Sequence, residues 1–177
     1  MNPSDQLIEQ ERVDRVPSLR QERTSMSLSV SAVLAEPAWR TPEKIAVVLS
    51  DFHAWQGWSP WEKMDPAMKR SYSGAEKGKG AAYAWEGNGK VGQGRMEIID
   101  AAPSRVALDL DFVKPFEGHN KVVFTLVPQG DATEVNWAMQ GPMPYVSKLI
   151  SVFCDMDGMI GKEFENGLAN LKTLTEK

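Results

Sequence analysis

Tyr145–Glu176 reads YVSKLISVFCDMDGMIGKEFENGLANLKTLTE. Leu149, Phe153, Met156, Ile160, Phe164, Leu168, Leu171 and Leu174 recur in it at spacings of three or four, which at about 3.6 residues per turn gathers them into one apolar stripe. The spacing predicts a long amphipathic helix, begun after Pro144, a residue the first helical turn tolerates because its missing N–H has no partner there. Gly158, Gly161 and Gly167 fall inside it, each at a cost of about 1 kcal/mol relative to alanine, so the pattern predicts that something approaches the helix closely. Asp157 projects into the apolar arc with Phe153 and Phe164, where a carboxylate needs a role.

The rest of the chain reads as a surface made to cover that stripe. From Ser27 to Leu34, SLSVSAVL alternates, placing Leu28, Val30 and Ala32 on one side of a strand. Thr41-Pro42-Glu43-Lys44 then gives an N-cap with proline at the first helical position, ahead of Ile45, Val48 and Leu49, in a short helix that should end near Asp51. Trp55, Trp58 and Trp61 follow, but Ser59-Pro60 interrupts any continuous helix, so the three are expected on a turn and a loop. Six further strands are predicted: 68–73, 81–86, 92–100, 105–113, 121–127 and 134–140. Tyr83 and Trp85, Met96 and Ile98, and Val106, Leu108, Leu110 and Phe112 point inward on the second, third and fourth. Val122, Phe124 and Leu126, then Val135, Trp137 and Met139, do so on the last two, while Arg95, Glu97, Asp109, Asp111, Lys121, Glu134 and Asn136 alternate outward. Such alternation describes an antiparallel sheet with one wet face, and Asn88-Gly89, Pro103-Ser104 and Gly130-Asp131 supply hairpin turns.

One single-faced sheet and one striped helix imply an α+β helix-grip architecture, a curved antiparallel sheet of about seven strands wrapped around the long C-terminal helix. The first strand is expected beside the last, 27–34 along 134–140, because the last would otherwise present an open edge. A sheet this wide need not be filled by its own side chains, and the remaining space would be an apolar cavity.

At 177 residues with 42% hydrophobic content, the chain suits one domain at 27–177 after a polar tail at 1–26 that has little to bury and is expected to be disordered. A net charge of -4 with scattered lysines and arginines argues against nucleic acid as a partner. No run approaches the roughly 18 apolar residues of a membrane span, Cys154 alone permits no internal disulfide, and a soluble, cytoplasmic protein is expected. Gly87-Asn88-Gly89-Lys90-Val91-Gly92 matches a dinucleotide-binding pattern, yet a strand rather than a helix follows it, so a hairpin is the better reading and no cofactor is expected. Asp155-Met156-Asp157-Gly158 lacks the further oxygen ligands of a calcium loop, and neither His53 nor His119 has a metal-ligand neighbour in sequence, so no metal site is expected. Asp51 and His53 form an acid/base pair only if the fold aligns them; as loop residues they read as solvated.

The segments SDFHAWQGWSPWEKMDP (50–66), YSGAEKGKGAAYAWEGNGKVGQGRMEI (72–98), KPFEGHNKVVFTLVP (114–128), TEVNWAM (133–139) and MDGMIGKEFENGLANLK (156–172) resemble the polyketide cyclase/dehydrase-like members of the SRPBCC superfamily. These are START-like, birch-pollen-allergen-like helix-grip proteins. The resemblance runs from about Thr41 to the end and implies a cavity for an apolar small molecule between sheet and helix. It implies no fixed chemistry, since carriers, lipid binders, cyclases and co-chaperone-like modules share the scaffold. Close relatives commonly carry a hydrophobic N-terminal anchor and a first strand running into an alanine-proline turn. Here Met1–Ser25 is polar and AVLAEPAWR (32–40) departs from that pattern, so the resemblance supports neither a membrane anchor nor the family's first strand at this end.

Three functions follow. The first is binding or carriage of a small hydrophobic molecule, its contacts drawn from the inward set: Trp58, Trp61, Tyr83, Trp85, Met96, Leu108, Leu110, Phe112, Phe124 and Trp137, with Phe153, Met156, Asp157 and Ile160 from the helix. The second is a cyclase- or dehydratase-type enzyme using Asp157 or another cavity carboxylate as acid/base. The third is a protein-interaction module working through an edge strand or apolar patch. No residue is assigned as catalytic, and the oligomeric state is open. A polar pair converging in the cavity points to the enzyme, an apolar cavity to the carrier, and a filled one to the interaction module.

Overall fold

The computed structural model describes residues 25–34, 41–115, 117–142 and 159–173. They form seven strands, β1 (Ser25–Leu34), β2 (Lys69–Gly74), β3 (Ala81–Glu86), β4 (Gln93–Ala102), β5 (Arg105–Lys114), β6 (Gly118–Gln129) and β7 (Ala132–Pro142). Four helices accompany them: α1 (Pro42–Leu49), α2 (Trp55–Trp58), α3 (Pro60–Met64) and α4 (Met159–Thr173). One antiparallel sheet holds all seven strands in the order β1-β7-β6-β5-β4-β3-β2. From β2 to β7 each strand pairs with its neighbour in sequence, and only β1 crosses the molecule, with Ser27 opposite Gln140 and Val33 opposite Glu134.

The sheet buries one face because its sequence alternates. Along β6 burial switches at every residue from Gly118 to Val122, and along β7 Val135, Trp137 and Met139 are buried between half-buried neighbours. The covered face is closed at one end by α1, whose Ile45, Ala46 and Leu49 are buried and which packs on β4, β5 and β6. Thr41 stands at its N-cap in extended conformation and Pro42 at its first position. On α4, Leu168 and Leu171 are buried while Glu165, Asn166 and Ala169 are exposed, so the apolar stripe faces inward across this segment.

The tryptophan stretch differs from its expected turn and loop. It forms two one-turn helices, α2 and α3, joined at Ser59, whose backbone is extended (ψ 126°). Pro60 enforces the break, because a proline disfavours helical geometry in the residue before it, yet its fixed φ suits the first turn of the next helix. Trp55 and Trp58 on α2 are buried, and Trp61 on α3 packs edge-on to Trp137 at 5.7 Å between centroids. The close approach expected at the helix glycines is present at Gly167, where a Cβ would stand 2.9 Å from the Trp137 ring and 3.2 Å from Pro60 Cδ. Glycine thus costs helix propensity but lets α4 settle onto α3 and β7. Asn170 adds a hydrogen bond from Nδ2 to the Trp58 carbonyl (3.2 Å) and accepts one from Lys63 Nζ (3.2 Å). Gly158 lies outside the described residues.

Candidate functional site

The concave face of the sheet is divided. Its half nearer α1 is filled: Ile98, Val106, Leu108, Phe124, Leu126 and Val135 are all at most 1% exposed. The other half borders a cavity of about 170 Å³. Within single strands the inward positions cross this boundary, so that Leu108 packs in the core while Leu110 and Phe112 line the cavity, and Ile98 packs while Met96 lines. Val122, Trp137 and Met139 continue the floor. Trp85 lies over Gly94 on the next strand, where a Cβ would come within 2.5 Å of the indole, and its Nε1 donates to the Val91 carbonyl at 3.0 Å. Trp61 and Met64 from α3, and Glu163 from α4, bound the space from the helical side.

Of the residues expected to contact a ligand, Trp61, Tyr83, Trp85, Met96, Leu110, Phe112 and Trp137 line this cavity. Trp58, Leu108 and Phe124 are fully buried in the packed half instead; parity identifies the inward face but cannot say which part of it α1 and α2 fill. Phe153, Met156 and Asp157 lie outside the described residues, as does the side chain of Ile160, although its backbone belongs to α4. Asp51 and His53 do meet, with Nδ1 3.4 Å from Oδ1. They do so on the surface, where the imidazole stacks on Tyr72 at 4.1 Å, and neither borders the cavity.

Besides Ser59 and Glu163, the cavity is lined by a carboxylate that neither strand alternation nor helical projection picks out. Glu62, on α3, is 8% exposed and lines the space together with Tyr83. Tyr83 donates its hydroxyl to Glu62 Oε1 at 2.7 Å, and Arg70 donates Nε to Oε2 at 2.6 Å. Arg70, reaching back from the edge strand β2, also donates to the Met68 carbonyl at 2.7 Å. A buried acid is tolerable here because each oxygen has its own donor, one of them charged. In sequence Glu62 sits in Trp-Glu-Lys-Met-Asp, a mixed-charge run that reads as solvated. The usable signal was Tyr83, since an inward phenol must find a partner.

This network fixes protonation. Burial, and then the hydrogen bond to the Glu62 carboxylate, push the Tyr83 phenol far above the ordinary tyrosine range. The hydrogen bond to Glu62 likewise raises the Arg70 guanidinium. Tyr83 is therefore a neutral donor to Glu62 and no base at physiological pH. Because its folded pKa exceeds the usual 10.0, the stability it contributes is complete below pH 10 and is lost as pH rises beyond it, at up to about 1.4 kcal/mol per pH unit. Arg70 adds nothing to that window, its ordinary value being 12.5. Chemical denaturation between pH 10 and 12 should show the native chain losing stability one proton more steeply than Tyr83→Phe. Equal slopes would mean that the phenol ionises in the folded state.

A family model described as polyketide cyclase / dehydrase and lipid transport matches residues 30–176. The chain belongs to that family. The match starts inside β1, earlier than the resemblance beginning at Thr41, so the divergent first strand is part of the family domain. Solved structures agree on the fold. Ms6760 from Mycobacterium smegmatis superposes with a TM-score of 0.59 at 15% identity, covering 85% of this chain and 90% of its own. MLL2253 from Mesorhizobium loti gives 0.58 at 17%, covering 85% and 97%. Ara h 8.0201 gives 0.55 at 9%, covering 86% and 99%. These members of the helix-grip class share the open seven-stranded sheet and C-terminal helix. No curated protein matches the sequence. Proteins of this family type commonly bind hydrophobic ligands, and no helix among the described residues is long and apolar enough to cross a membrane.

Proposed function

We propose that this polyketide cyclase/dehydrase and lipid transport family member binds and carries a small hydrophobic molecule in the cavity between the sheet and α4. The observation that carries this reading is the cavity wall, in which aromatic, methionine and aliphatic side chains make up most of the lining, with Ser59 and Glu163 beside them and the carboxylate of Glu62 already held by Tyr83 and Arg70. A wall of that kind gains by excluding water and asks little of a ligand beyond apolar surface. A second reading, cyclase- or dehydratase-type chemistry, is favoured by one specific observation, the convergence of Glu62 and Tyr83 on the same cavity. Under it Glu62 must trade a partner for substrate, and Glu62→Gln would abolish turnover without expelling the bound molecule.

Native mass spectrometry of protein purified from its own host tests the binding reading. A co-purifying small molecule is expected, and it should vanish in Leu110→Trp, which fills the cavity from a floor position at a stability cost of about 1–3 kcal/mol. Retention of the molecule by the filled variant, or recovery of the wild type with nothing bound at any stage of purification, would overturn it.

A further inference from the structure

The two carboxylates of the cavity differ in one respect. Glu62 is neutralised by Arg70 at 2.6 Å. Glu163 on α4 is half-buried, lines the same space, and has no hydrogen bond or ion pair among the described residues. No lysine, arginine or histidine among those residues borders the cavity; Lys63 on α3 is turned to Asn170, and Lys162 is exposed. One negative charge therefore stands on an apolar wall without a counter-ion, which costs desolvation and returns nothing to the fold. Its surroundings are specific. Glu163 precedes Gly167 by four residues, so the two share a face of α4 about one turn apart, and Gly167 is the position held against the Trp137 ring and Pro60. Trp61 and Trp137, both on the cavity wall, meet there at 74° with centroids 5.7 Å apart. Ser59, the residue before Pro60, lines the space as well; it is 4% exposed and its hydroxyl makes no cap bond to α3. A charged acceptor, an idle hydroxyl and two steeply inclined indoles converge where α3, α4 and β7 join.

We propose that the molecule carried is a hydrophobic amine bound in its protonated form, its ammonium group seated at this corner and its apolar body laid along the sheet floor; this rests on the binding reading above and narrows it. The ammonium N–H groups donate to the Glu163 carboxylate and to Ser59 Oγ, a charge-assisted bond and a neutral one. The rings of Trp61 and Trp137 add the attraction of indole for a cation within about 6 Å of the ring centroid. The same wall selects against acids. A fatty acid carboxylate or a lipid phosphate would meet Glu163 and Glu62 with no lining cation to receive it, and like charges in an apolar site repel strongly. A plain hydrocarbon enters, but leaves Glu163 desolvated and unpaired.

Isothermal titration calorimetry of the full chain at pH 7 with three probes of matched shape tests this: 2-(aminomethyl)naphthalene, a cation at that pH, 2-ethylnaphthalene, which is neutral, and 2-naphthoate, an anion. The wild type should bind the cation more tightly than the anion by at least tenfold. Glu163→Gln keeps the shape and removes the charge; it should weaken the cation roughly tenfold or more, one hydrogen bond to a charged group, and leave the neutral probe within about twofold. Ser59→Ala should weaken the cation about threefold, the lower range for a neutral bond. Glu163→Lys should reverse the order of cation and anion, and supplies a second measurement should Glu163→Gln fold poorly. A wild type that binds the neutral probe but not the cation, that binds the anion as tightly as the cation, or whose ratio of cation to neutral affinity is unchanged in Glu163→Gln overturns the amine assignment and leaves apolar binding standing. Binding of none of the three to the wild type overturns both.

Discussion

Replacing Glu62 by leucine is expected to lower the stability of the folded chain by about 3–5 kcal/mol, the range for removing one partner of a buried ion pair. The substitution strands two groups at once. Arg70, whose side chain is only 19% exposed, loses its 2.6 Å partner, and the Tyr83 hydroxyl loses its acceptor inside an apolar wall. Glu62→Gln should cost less, about 1–3 kcal/mol, because the amide oxygen still accepts one of the two bonds. Urea denaturation at pH 7 measures both. A Glu62→Leu variant within 1 kcal/mol of wild type, on the order of a surface substitution, would show that the network adds nothing and that α3 is held by its other contacts, Trp61 on Trp137 and Pro60 on Gly167.

Phe124→Ala is expected to cost a further sum of the same size, about 3–5 kcal/mol, for a different reason. Phe124 has no exposed surface and stands among Trp55, Trp58 and Trp137, with ring centroids 6.2, 6.2 and 5.0 Å away. The hole left behind is walled by α1, α2 and the sheet, which cannot all close on it. Since Phe124 belongs to the packed half of the concave face, the variant should keep ligand stoichiometry at reduced stability, the converse of Leu110→Trp. A loss of binding in Phe124→Ala with stability intact would place the ligand in the wrong half.

Strands and sheet order were legible because period-two alternation is a local property: Val122, Phe124 and Leu126 announce their face without reference to any other residue. The β1–β7 pairing was legible too, since β7 needed a partner for its second edge. What alternation cannot express is depth. Leu108 and Leu110 carry the same pattern, and only the arrival of α1 over one of them decides which becomes core. Asp157 drew attention because helical projection exposes a misplaced charge, whereas Glu62 sits on a single turn too short for any period. Its burial depends on Arg70 and Tyr83, 8 and 21 residues away in sequence.

The sheet order also carries a consequence for the chain during synthesis. Every pairing from β2 to β7 joins strands adjacent in sequence, but Leu34 must wait for Thr133, a loop of roughly 100 residues whose closure costs about 4 kcal/mol of entropy under the logarithmic law. At translation rates of about 5–20 residues per second, β1 leaves the ribosome some 5–20 s before its partner exists. Throughout that interval Leu28, Val30 and Leu34 have no sheet to join, and the serines that alternate with them, Ser27, Ser29 and Ser31, are what keep the waiting strand from being a continuous adhesive ribbon.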